Sequence, residues 1–165
     1  MSEFVNVYFR DMTEKEFNDF SEEEIRSYAE ELIKSGYRKL KITALKASRK
    51  EYEETFPQGY NTPENYFYVI QNSEKEDVGK IFYQTHYEKK DVAFITEFVI
   101  KEEHRNKGYG KSALKKVAED AREKGYKKMG LNVFLHNKIS YPMYLKDGYK
   151  IIEEIEGNAI MEKDL

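Results

Sequence analysis

The sequence predicts an α+β protein, one domain over residues 1–165, whose strands pair mostly antiparallel. Three observations predict it. Apolar, β-branched or aromatic runs at 66–70, 78–87 and 94–100 follow one another with short polar connections and read as a meander. Helical signals are grouped ahead of that meander and after it instead of alternating with every strand. Finally, residues 93–113 pass from a buried strand through a charged loop into a glycine-rich helix start, and the rest of the chain is organised around this stretch.

In chain order, residues 5–10 alternate as a short strand. Thr13-Glu-Lys-Glu16 has capping-box spacing and should open a helix. Ser21-Glu-Glu-Glu24 repeats that signal, and Ile25, Tyr28, Ala29, Leu32 and Ile33 recur on one face as far as Gly36. A third helical stretch carries Leu40, Ala44, Leu45, Ala47, Ser48 and Tyr52 and ends before Pro57. Residues 58–63 form a connecting loop. After the meander, a helix over 108–124 buries Leu114, Val117, Ala118 and Ala121 and ends near Gly125. A strand at 130–135 follows, then a hairpin of 151–155 with 159–162. No internal repeat, low-complexity tract or interdomain linker interrupts the pattern.

The 165 residues suffice for one core. Cysteine is absent, which excludes disulfides, thiolate catalysis and a Cys-based metal site. The three histidines, His86, His104 and His136, are scattered, so no metal is expected. A net charge of −3 with 36% charged residues describes a mixed surface, against nucleic acid as partner. No apolar run approaches the ~20 residues of a membrane span, and the charged start is not a signal peptide. A soluble, cytoplasmic protein is the expectation.

The glycine stretch reads as a polyanion site. Gly108 and Gly110 lack side chains, so backbone N–H groups can close around phosphate oxygens. The first turn of the following helix adds unpaired N–H groups and the positive dipole end. Arg105, Lys107 and Lys111 add charge, and Asn106, Tyr109 and Ser112 complete the loop. Two nucleotide motifs fail on spacing. A P-loop needs glycine where Arg105 stands. A dinucleotide fingerprint lacks both the tight strand-to-glycine turn and an acidic residue near Met129 to Leu131.

What remains is Arg105-x-x-Gly108-x-Gly110 after a strand, and here the chain resembles the GNAT superfamily of acyl-CoA-dependent N-acetyltransferases. Their pyrophosphate loop reads Gln/Arg-x-x-Gly-x-Gly/Ala. A second stretch from Asn137 to Tyr149 is similar to the family's late segment, Asn-x-x-Ala-x-x-Leu-Tyr-x-Lys-x-Gly-Phe, with Ser140, Met143 and Tyr149 as substitutions. The resemblance covers roughly residues 65–163. It implies a mixed, mostly antiparallel central sheet of about six to seven strands with helices on both faces. It further implies direct transfer of an acetyl group from acetyl-CoA to a primary amine in a ternary complex. In such proteins the segment between the first two strands, here long and helical, covers the acceptor end of the cleft.

The resemblance also distributes roles. The backbone of Phe98, Val99 and Ile100 would bind the pantetheine arm, and residues 105–112 the pyrophosphate. Tyr144 lies where the family places its general acid, and a phenol of unperturbed pKa ~10 keeps its proton at neutral pH. Glu97 is the candidate general base, with His86 and His136 as alternatives. Asn137 could cap the following helix or bind the cofactor arm, two roles competing for one side chain. Pro142 departs from the pattern. Either the helix begins late, with Ser140 as cap, or it is kinked. The acceptor is a small-molecule or peptide amine of unspecified identity, a longer acyl donor is an alternative, and the resemblance allows a homodimer through the C-terminal strands. A non-catalytic acyl-CoA-binding or sensing module on the same fold is the competing class.

Overall fold

A computed structural model of the chain describes residues 4–165. The chain divides into two compact units, residues 12–63 and the remainder. The smaller unit is a pair of helices, α1 (Glu14–Lys34) and α2 (Lys41–Thr55). Thr13 caps α1 through a capping box: its Oγ1 accepts from the Glu16 N–H at 3.1 Å while Glu16 Oε1 accepts from the Thr13 N–H at 3.0 Å. The second start expected at Ser21 does not occur. Ser21 lies inside one 21-residue helix, where its hydroxyl donates back to the Phe17 carbonyl at 2.8 Å and meets the Tyr52 hydroxyl at 2.8 Å. Ser48 likewise donates to the Ile25 carbonyl at 2.7 Å, tying α2 to α1.

The larger unit is an open seven-stranded sheet in the order β1-β2-β3-β4-β5-β7-β6. Its strands are β1 (Tyr8–Asp11), β2 (Asn65–Gln71), β3 (Asp77–Thr85), β4 (Val92–Ile100), β5 (Lys128–Phe134), β6 (Lys150–Ile155) and β7 (Asn158–Asp164). Every pair is antiparallel except β4–β5. This is the mixed, mostly antiparallel sheet the sequence predicts, with β1 beginning three residues later than expected. Helix α3 (Tyr109–Glu123) joins β4 to β5, the crossover a parallel pair requires. The short α4 (Ser140–Lys146) follows β5.

Helix α3 buries Ala113, Leu114, Val117 and Ala121 in one core with Ile81, Tyr83, Ile95, Leu131, Met161 and Tyr149, and Ala118 is buried beside them on the helix. A polar clamp fixes the same helix to the meander. Asp120 Oδ2 accepts from Tyr68 at 3.0 Å, Tyr83 at 2.5 Å and Lys124 at 2.8 Å. The helix ends in a Schellman turn: Gly125 at φ +94° bonds back to Arg122 and Tyr126 to Ala121.

Candidate active site

Two departures from regular pairing make the site. First, β4 and β5 pair only over four residues, from Val92 opposite Lys128 to Ile95 opposite Leu131. Beyond Ile95 the strands splay, and a cleft of about 250 Å³ opens between them. Second, β4 bulges at Thr96. Tyr83 of β3 faces Ile95, but the next partner pair is Phe82 with Glu97, so Thr96 is the extra residue. Cross-strand partners share a face of a sheet. Ile95 and Tyr83 therefore point to the α3 side, and Glu97 to the other side with Phe82. Without the bulge, alternation would place Glu97 beside Ile95, in the core.

On β5, Leu131 and Val133 belong to the core on the α3 side, so Asn132 and Phe134 point to the face that Glu97 occupies. Tyr144 reaches the cleft from the α3 side, as part of that core. The proton acceptor and the proton donor expected from the sequence are thus brought to one cleft from its opposite sides. The alternatives His86 and His136 are not among the cleft-lining residues. His86 Nδ1 accepts from the backbone N–H groups of Glu88 and Lys89, both at 3.1 Å, which is a turn-holding role.

Tyr144 is held by both ends of α4. At the N-terminus, Asn137 Oδ1 accepts from the N–H groups of Ile139 at 3.2 Å and Ser140 at 2.9 Å. Asn137 is thus the capping group, and Ser140 is already the first helical residue. The helix begins late, so Pro142 falls in the first turn, where a missing N–H costs no helical bond. At the C-terminus, Gly148 at φ +97° bonds to Leu145, and Tyr149 bonds to the Tyr144 carbonyl at 3.1 Å, a Schellman motif. The two tyrosine rings meet edge to face at 5.7 Å, the apolar contact that motif favours. Burial pushes the Tyr144 hydroxyl up to about 12.

The glycine loop adjoins the far end of β4. Gly108 caps α3 with φ +85°, a left-handed conformation, and no side chain caps the helix. The first helical bond runs from Ser112 N–H to the Gly108 carbonyl, so the N–H groups of Tyr109, Gly110 and Lys111 have no helical partner. Arg105 Nε donates to the Ile100 carbonyl at 3.0 Å, fastening the loop to the strand. A Cβ at Gly110 would stand 3.4 Å from Met143, 3.8 Å from Ile100 and 3.9 Å from Phe98, so the loop, α4 and the end of β4 meet there. Arg105, Asn106, Lys107, Gly108 and Lys111 are exposed, Tyr109 and Gly110 half-buried. Ser112 is turned inward, its Oγ buried and without a hydrogen-bond partner among the described residues. Of the three strand residues expected to face the arm, Phe98 and Ile100 pack against the α3-side core, and Val99 points away from it. No group of three or more His, Cys, Asp or Glu among the described residues could hold a metal. No described helix is long and apolar enough to cross a membrane.

A splayed parallel pair with a glycine loop at one end is the frame of the site, and sequence comparison gives the class of protein that carries it. The sequence model of the acetyltransferase (GNAT) family matches residues 34–149, and the chain belongs to that family of enzymes. It is 35% identical over 140 residues to the uncharacterized N-acetyltransferase YdgE of Bacillus subtilis (strain 168), covering 84% of this chain and 88% of the relative. The uncharacterized N-acetyltransferase YycN of the same organism is 31% identical over 119 residues, 72% and 73% of the two chains. The crystal structure of the putative acetyltransferase YycN superposes with a TM-score of 0.73 at 29% identity, covering 91% of this chain and 96% of the other.

Proposed function

We propose that this chain binds acetyl-CoA and transfers its acetyl group to a primary amine by direct attack in a ternary complex. One observation carries the reading. The cleft between β4 and β5 has a carboxylate, Glu97, on one side and a buried phenol, Tyr144, on the other, and the glycine loop adjoins it.

The loop's donor set fits a diphosphate. It offers three N–H groups without helical partners, the helix dipole, and the cations Arg105, Lys107 and Lys111, around a Gly108 whose backbone no β-branched residue would adopt. Asn106, Tyr109 and Gly110 complete the loop, while Ser112 supports it from the core side. Beyond Ile95 the β5-facing edge of β4 has no partner among the described strands, so Phe98 and the Ile100 N–H present backbone groups to an extended ligand arm that follows Glu97. The Ile100 carbonyl accepts from Arg105, and Val99 turns its backbone groups to β3. Asn137 spends its side-chain carbonyl on capping, leaving its amide group for the ligand.

In this mechanism Glu97 takes the proton of the incoming ammonium, directly or through water, from the face of the sheet opposite α3. The neutral nitrogen then attacks the thioester carbonyl: a C–N bond forms, the C–S bond breaks, and the proton that the attacking nitrogen sheds goes to solvent or to the departing thiolate, which ends as the free thiol. Tyr144 meets the departing sulfur from the α3 side. A phenol at about 12 is a weaker acid than a thiol at ~8.5, so it acts first as hydrogen-bond donor to the charge building on sulfur. The cofactor supplies the activated acyl group; the chain supplies placement, a proton acceptor and a donor.

The test is calorimetric titration with acetyl-CoA, with ATP and NAD as controls. Micromolar binding of acetyl-CoA alone is expected. Silence with acetyl-CoA and heat from a nucleotide would overturn the reading.

A further inference from the structure

We infer that the acceptor is a primary monoamine carried on an apolar, preferably aromatic, body, and that Phe134 determines this specificity. The inference rests on the proposed acetyl transfer and deepens it.

The acceptor must come from the side on which Glu97 stands. That side of the cleft is built from β5, whose outward positions are Gly130, Asn132 and Phe134. Phe134 lines the cleft and is 53% exposed, so its ring is open to a ligand there. Its ring lies 5.2 Å from the ring of His136, which backs it from outside the cleft lining. Four residues back along the strand, the Phe94 ring of β4 lies across Gly130; a Cβ there would be 3.1 Å from Phe94 Cδ2. Asn132 therefore sits between two phenyl groups on one face, its carboxamide exposed to the same space.

The charge pattern points the same way. Among the described residues lining the cleft Glu97 brings the one carboxylate, a partner for one ammonium. By register, Glu162 opposite Gly130 is paired with Lys89 at 2.9 Å, and exposed Glu153, opposite Ile160 and through it Asn132, lies one strand further from the cleft. A polyamine's extra ammonium groups would meet the rings and the amide before any carboxylate. An ammonium over an exposed ring gains little, whereas an apolar body gains in proportion to the area it covers. Asn132 adds a donor and an acceptor for a single polar substituent on that body.

Thiol release from acetyl-CoA, measured with phenethylamine and with spermidine as acceptors, tests the assignment. The expected kcat/KM is at least tenfold higher for phenethylamine. Phe134→Ala should lower the phenethylamine value about tenfold, mostly through KM, with Phe134→Leu recovering part of it and acetyl-CoA affinity unchanged. A preference for spermidine, an unaltered Phe134→Ala enzyme, or acetyl-CoA binding with neither amine acetylated would each overturn the specificity assignment. Absence of acetyl-CoA binding would instead remove the acetyl-transfer reading, and this assignment with it.

Discussion

Tyr144 and Tyr149 are five residues apart, in ring contact, and alike in burial, yet their hydroxyls should matter differently. Neither hydroxyl bonds to a described residue, and that of Tyr149 is fully enclosed. A buried hydroxyl without a partner is unfavourable by about 1–3 kcal/mol, so Tyr149→Phe should leave the melting temperature unchanged or raise it, with activity retained. The sequence pattern agrees, since the family segment carries phenylalanine at the position of Tyr149. Tyr144→Phe should be equally harmless to stability but should lower kcat about 10²-fold without weakening acetyl-CoA binding. Turnover at the parental rate would take Tyr144 out of the mechanism, and a large loss of melting temperature in either variant would contradict the packing described above. Because burial holds the Tyr144 proton up to about 12, its contribution to kcat should not titrate between pH 7 and 10.

What the sequence revealed and what it concealed divide at the level of the element. Local chemistry was legible: the Thr13–Glu16 capping box, the glycine loop and the caps of α3 are each set by a few adjacent residues. The Thr96 bulge was not, because it exists only in the register of β4 against β3, and it is what turns Glu97 out of the core. Nor was the fusion of the first two helical signals, which depends on the Ser21 hydroxyl finding partners in Phe17 and Tyr52, the latter on another helix. At the glycine loop the structure separates two glycines that the motif treats alike. Gly108 needs its left-handed backbone; at Gly110 an added Cβ meets nothing closer than 3.4 Å. Gly110→Ala should therefore keep acetyl-CoA binding within a few fold. Gly108→Val, strained by about 1–2 kcal/mol, should distort the loop and cost more than tenfold in affinity while the far-UV spectrum stays native. The reverse order in a titration of the two variants would place the binding site elsewhere.

Over the whole molecule, a feature the composition only hints at becomes a stability property. Of the 14 tyrosines, burial raises the pKa of Tyr66, Tyr68, Tyr83, Tyr144 and Tyr149 in the sheet unit and of Tyr52 in the helical unit. Tyr83 is raised further by donating to the Asp120 carboxylate. In the unfolded chain these phenols titrate near ~10. Below that value folded and unfolded states are both protonated and stability is at its full level. As pH rises past ~10 the unfolded chain loses protons that the folded chain still holds, so stability falls with pH, by up to about 1.4 kcal/mol per unit for each enclosed phenol until its folded value is reached, and by less for the partly exposed Tyr52 and Tyr66. Several groups acting together make the fall steep. The melting temperature should be nearly level from pH 7 to 9 as far as these phenols are concerned and drop sharply above 10, with the slope shallower in Tyr149→Phe because one buried phenol is gone. A melting temperature that stayed level to pH 11 would mean that these side chains ionise in the folded protein, and that the tyrosine-lined core beneath α3 is open to water.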